Sequence, residues 1–224
     1  MNQVWYAYLG WIAAAGLLGF AISVIFARVL RLPRNIFLLP YIVLSSLFLY
    51  AYLKWSGLSP VELIRHHWVW GLIGAIILAG FTTKNVLSQP ASTRAQGFAL
   101  GFDILWSGVI YGLVDALLLS VLPVLATWQA FSLLNWTTHW PGKLLVGGLG
   151  ILASLFVTVA YHLGYPEYKG RGLFGPVIGN TTMTLGYLIT MNPLAAVLSH
   201  IAMHVAGVLR GPASVVQLPP HYQQ

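Results

Sequence analysis

An all-α bundle of about seven membrane-spanning helices is the fold this sequence predicts, and three observations predict it. Of its 224 residues, 58% are hydrophobic and only 7% are charged, against roughly a quarter charged in an ordinary soluble domain. Mean hydropathy is +0.79. Apolar segments near or above the ~18 residues of a spanning helix recur along the whole length, leaving no stretch for a separate soluble domain. The expectation is one transmembrane helical domain over residues 1–210 and a proline-rich cytoplasmic tail over 211–224.

Spans are expected, in order, at 8–27, 36–53, 68–83, 98–126, 144–163, 173–191 and 193–209. The first follows Met1, Asn2 and Gln3, which lack the basic n-region of a cleavable signal, so it is expected to be retained. The third is short. The fourth would be about 43 Å of helix against a ~30 Å core, with Gly108 and Gly112 as places to bend. The last two are joined only by Asn192 and Pro193, and a proline disfavours helix at the residue before it while fitting the first turn of the next. Read as one crossing, 173–209 would be too long and would carry that break inside it. Small residues in GGLGILAS, 147–154, together with Gly108 and Gly112, suit close helix packing. Asn180, Thr181 and Thr182 suit interhelical hydrogen bonds more than a cavity wall. The tail, with Pro212, Pro219 and Pro220, should run extended across the helix ends.

The eleven Lys and Arg residues give a net charge of +7 but stand singly between apolar runs, which points away from a nucleic-acid surface and toward topology determinants. With the N-terminus outside, Arg28, Arg31, Arg34, Lys84, Arg94, Lys169, Arg171 and Arg210 fall on the cytoplasmic side, and Lys54, Arg65 and Lys143 on the other. This positive-inside bias predicts N-out and C-in. There is no cysteine, so thiolate chemistry is excluded and any metal must use His, Asp or Glu.

A charge at the bilayer centre costs ~2.5–3.5 kcal/mol on insertion scales, so each intramembrane ionisable group needs a reason. The four acids are Glu62, Asp103, Asp115 and Glu167. Glu62 follows Ser59 and Pro60 and reads as a helix start. Asp103 and Asp115 fall in the fourth span. His200 and His204 are four residues apart, so both rings project from one helical face. Together with His162 and one aspartate they make a donor set suited to a divalent metal such as zinc. Counted from the cytoplasmic edge, His162, His204 and Asp103 fall at similar heights, and Asp115 about 18 Å above Asp103 in a straight helix; depth alone prefers Asp103. A single intramembrane His often serves only as an interhelical hydrogen-bonding group, but two rings on one face need two partners. His66 and His67 beside Trp68 and Trp70, and His139 beside Trp136 and Trp140, read as headgroup anchors.

The segments VTVAYHL and NPLAAVLSHIAMH resemble the CAAX protease and bacteriocin-processing family of intramembrane endopeptidases. That family carries EExxxR, then FxxxH on a later helix, then HxxxN or HxxxB near the end. By this resemblance, which covers roughly 111–210, His162 matches the middle histidine, His200 the last-motif histidine and His204 the Asn position. The paired glutamates correspond to Asp115 and Ala116, the arginine to Ser120, and the phenylalanine to Thr158, with Phe156 nearby. What the resemblance implies is peptide hydrolysis in a bacterial inner membrane, with Asp115 activating water and His162, His200 and His204 positioning or polarising it.

Three readings therefore stand side by side. One is a hydrolytic site of Asp115, His162, His200 and His204 near the cytoplasmic side, metal-assisted through His162, His200, His204 and Asp103, or degenerate and inactive. The second is a non-enzymatic scaffold or accessory subunit of a larger membrane complex, its aromatic exterior facing lipid and partners. The third is haem b held between His162 and either His200 or His204. The sequence shows no inverted repeat of the kind transporters carry.

Overall fold

The computed structural model describes residues 4–168, 170–211 and 217–219. It is helical, with no strand among the described residues. In chain order the helices are α1 (Val4–Val29), α2 (Arg34–Ser56), α3 (Pro60–Arg65), α4 (Trp68–Leu87), α5 (Gly97–Ser132), α6 (Trp140–Leu163), α7 (Phe174–Thr190) and α8 (Leu194–Arg210). Five of them, α1, α2, α4, α5 and α6, are long and apolar enough to cross a membrane. α7 and α8 have 17 residues each, about 25 Å of helix and thus shorter than a ~30 Å core.

The exterior fits a lipid solvent. Leu17, Ile76, Leu144, Leu152 and Ile189 stand strongly exposed on the outer helix faces, where water would make a liability of so continuous an apolar surface. Trp68, Trp70, Trp136 and Trp140 are exposed at helix ends, the level at which indole rings favour the interface. By contrast α5 from Tyr111 to Ala126 is buried on nearly all sides, as a helix apolar all round should be.

Local chemistry sets the boundaries. Ser59 Oγ accepts from Glu62 N at 3.4 Å and Pro60 opens α3, the start that Ser-Pro-x-Glu predicts. Between α7 and α8 the break falls at Asn192 and Pro193 as expected, with Met191 in the left-handed region at φ 51°. Asn192 is fully buried. Its Nδ2 donates to the α3 carbonyls of Leu63 and Ile64 and to that of His66, and its Oδ1 accepts from Leu194 N. One amide thereby ties α3 to the turn and caps α8.

α5 runs 36 residues without breaking at Gly108 or Gly112. Instead it passes through two wider, π-type stretches, Ile104–Ile110 and Leu117–Val121, on either side of Tyr111–Ala116. Such turns are frequent at functional sites because they re-aim the side chains between them. The two glycines serve close approach: Gly108 backs onto Val205, and Gly112 onto Ile201 and the His204 ring.

At the other end, Leu218 is buried with Val86, Ala206 and Val208. Arg34 holds the same segment, its Nε donating to Pro219 O at 3.0 Å and its Nη2 to Leu218 O at 3.3 Å. Pro212, Pro220 and Lys169 lie outside the described residues.

Candidate functional site

Antiparallel packing of α5 on α8 builds the site. With Gly108 against Val205 and Gly112 against Ile201, Asp115 comes to face His200 and His204. Its Oδ2 stands 3.5 Å from His204 Nε2 and 3.9 Å from His200 Nε2, with all three side chains buried. The same register carries Asp103 down to the level of Arg210, away from the histidines, where it lies within electrostatic reach of Arg34. The depth argument for Asp103 therefore does not hold in the structure. It counted height from Arg94, whereas the first turns of α5 project past the end of α8, leaving Phe98 93% exposed.

The histidines differ in how they are held. His200 Nδ1 lies 3.1 Å from Ala196 O and His162 Nδ1 lies 2.7 Å from Thr158 O. A carbonyl only accepts, so each Nδ1 carries the proton and donates it. In the neutral ring this leaves the Nε2 lone pair available. His204 is 2% exposed, and neither of its nitrogens has a hydrogen-bond partner. Its ring lies edge-on to Tyr111 at 4.7 Å between centroids. An unpaired buried polar group costs about 1–3 kcal/mol, so His204 is expensive as packing alone.

A shell of tyrosines surrounds the aspartate. Tyr41 on α2 donates to Asp115 Oδ1 at 2.7 Å. Tyr165 donates to Tyr161 Oη at 2.7 Å, and Tyr161 and Tyr111 approach at 3.3 Å between hydroxyls. Tyr168 packs edge-on against His162, 4.7 Å between centroids. Their sequence signal was only spacing: Tyr111 stands four residues before Asp115, and Tyr161 stands beside His162 and four before Tyr165. In a chain with eleven tyrosines that spacing does not single them out.

Asp115, His162, His200 and His204 all line one cavity of about 660 Å³. Asn180 also lines it, so this residue joins the cavity wall as well as a hydrogen-bonded network. Ser120 donates to its Oδ1 at 2.7 Å, and its Nδ2 donates to Ser154 Oγ at 2.7 Å. Where the resemblance places an arginine, Ser120 thus orients a cavity amide. The cavity reaches the Lys84 and Gln89 end of the bundle, and also the seam between α4 and α7. These helices touch where Gly186 meets Leu78 and Gly74 meets Thr190, and they part toward Phe81, Gly175 and Gly179, the last two with nothing near their faces.

Compared with family models, curated proteins and solved structures, the chain matches none. Its chemistry has to be read from its own residues. Among the described residues no group of three or more His, Asp or Glu side chains is placed so that it could hold a metal ion. His66, His67 and His139 are exposed and remote from the cavity lining. His66 and His67 pack ring on ring, 3.9 Å between centroids.

Proposed function

We propose that the chain is an intramembrane hydrolase of peptide bonds, crossing the bilayer seven times with its N-terminus outside, and that Asp115 is its general base. The observation that supports this most directly is the arrangement of one carboxylate. Tyr41 fixes Oδ1, while Oδ2 turns toward two imidazoles inside a cavity lined both by Lys84 and Gln89 at the basic end of the bundle and by residues of α4 and α7. A structural carboxylate would find its partners at hydrogen-bond length; Oδ2 instead faces groups at 3.5 and 3.9 Å.

The reaction balances on these residues. Water oxygen bonds to the peptide carbonyl carbon while its proton passes to the Asp115 carboxylate, and the C–N bond then breaks as that proton goes to the leaving nitrogen. One Nε2, of His162 or of His200, each ring having its Nδ1 proton committed to Thr158 or Ala196, accepts the remaining hydrogen of the attacking water and orients it. A substrate held in the membrane reaches the carboxylate through the parted ends of α4 and α7, without its apolar part leaving lipid. Two short helices suffice for the sixth and seventh crossings, since a bilayer thins around short spans at a cost of fractions of a kcal/mol per Å.

The test is proteolysis in proteoliposomes containing co-reconstituted membrane proteins, with new N-termini identified by mass spectrometry. The wild-type chain is expected to generate specific cleavages that Asp115→Asn reduces by about 10²–10⁴-fold. Equal cleavage patterns for the two would refute the assignment.

A further inference from the structure

We propose that residues 217–219 form a strap across the basic end of the cavity, and that its release admits water and the polar part of a peptide to Asp115. This deepens the hydrolase reading by adding its regulation and rests on that reading for its consequence, but the strap itself is a matter of access and is tested as one.

Three observations carry it. First, the strap reaches the cavity. Gln217 borders it together with Lys84, Ser88 and Gln89, and its Oε1 accepts from Gln89 Nε2 at 3.1 Å. Second, the strap has an anchor. Leu218 is fully buried against Val86 at the end of α4 and Ala206 and Val208 of α8. Met203 packs on this cluster and also lines the cavity, so the seat of the anchor and the cavity share a wall. Third, the strap is latched by a group with a second use. Arg34, at the start of α2, donates from Nε to Pro219 O at 3.0 Å and from Nη2 to Leu218 O at 3.3 Å, and it lies within electrostatic reach of Asp103. When the two carbonyls leave, that carboxylate keeps the guanidinium compensated, so release strands no charge.

The rim behind the strap is tied down, which confines the movement to the strap. Arg210 Nε donates to Gln89 O at 2.7 Å, Ser92 N donates to Arg210 O at 3.2 Å, and Arg94 Nη1 donates to Leu209 O at 3.1 Å; together they bind the 89–94 loop to the end of α8. Residues 217–219 belong to no helix, and Pro219 brings no N–H of its own. A segment held by one apolar side chain and a few hydrogen bonds opens locally far more readily than a packed helix. Closures of this kind sequester a reaction site and often set turnover.

The experiment uses the full chain in lipid nanodiscs, where both aqueous faces are open and lipid covers the sides. Because the chain has no cysteine, Met183→Cys, at a buried position on the cavity wall, supplies a single thiol. The measured quantity is its rate of modification by the trimethylammonium methanethiosulfonate reagent, expected to be slow while the strap is seated. Leu218→Ser removes the anchor and Arg34→Gln the latch, and each is expected to raise the rate at least about tenfold. His139→Ala, an exposed ring at the far end of α6, should leave it unchanged. Circular dichroism and thermal midpoint are recorded for each variant. An unchanged rate in either variant that keeps its fold would overturn the strap, as would a rate already equal to that of an exposed thiol before either change. Loss of fold in both variants would overturn it too, marking the segment as a brace. Faster modification without any cleavage would sink the hydrolase and spare the strap, whereas cleavage by a chain whose modification rate does not respond would do the reverse.

Discussion

Tyr41 illustrates how much of the site depends on single groups. Its hydroxyl is the one hydrogen-bond donor on Asp115 that the structure places at 2.7 Å, and hydrogen bonds to a charged partner are worth about 1.5–3 kcal/mol. Tyr41→Phe removes the donor and keeps the ring that packs against Tyr111 and Tyr161. Turnover is expected to fall about tenfold through kcat, because the carboxylate loses its fixed orientation, while the fold survives. Unchanged kcat in Tyr41→Phe would show that the carboxylate is held by other means. The histidine pair itself was legible from its four-residue spacing; the tyrosines were not, since nothing local distinguishes a phenol that meets a distant aspartate from one that anchors a helix at the interface.

Elements bring those residues together by close approach. A Cβ at Gly112 would stand 3.0 Å from Ile201 Cα and 3.1 Å from the His204 ring, whereas one at Gly147 would meet nothing within 4 Å. Gly112→Leu is therefore expected to push α5 off α8 and lower stability by about 1–3 kcal/mol, the usual cost of overpacking, and to abolish turnover. Gly147→Leu should leave both unchanged. Thermal unfolding of the two variants in the same detergent checks the contrast, and equal midpoints would contradict the packing. Depth counted from the nearest basic residue favoured Asp103 because it assumed that α5 starts where its neighbours end. The antiparallel register with α8 places Asp115 beside His200 and His204, and a register between two apolar helices leaves no mark in either sequence alone. The helix break at Asn192 and Pro193 was legible because proline chemistry is local; that Asn192 also clamps α3 was not, because its partners are the carbonyls of Leu63, Ile64 and His66.

At the scale of the whole molecule the argument is about solvent. Five helices long and apolar enough to span, an exterior of exposed aliphatic side chains and buried ionisable groups gathered around one internal cavity describe an integral membrane protein, and composition alone foretold that much. The number of crossings is harder, because α7 and α8 sit at the lower limit of spanning length and are recognisable as a pair only from the break between them. The native chain has no cysteine, so single substitutions report topology without background. With the N-terminus outside, Gly57→Cys and Asn135→Cys should react with a membrane-impermeant maleimide on intact cells, and Glu167→Cys only after lysis. Reaction of Glu167→Cys on intact cells would reverse the orientation and put the basic end of the cavity on the outer face.

The claim on which the account rests is that the buried aspartate and imidazoles are kept for chemistry and stabilise nothing by themselves. His204→Leu tests it most directly, with thermal midpoint and turnover measured side by side on the same protein. Replacing a buried ring whose two nitrogens lack hydrogen-bond partners with an apolar side chain is expected to hold or raise the midpoint while eliminating turnover. A lowered midpoint together with turnover equal to that of the wild-type chain would contradict it, and would mark the cluster as packing.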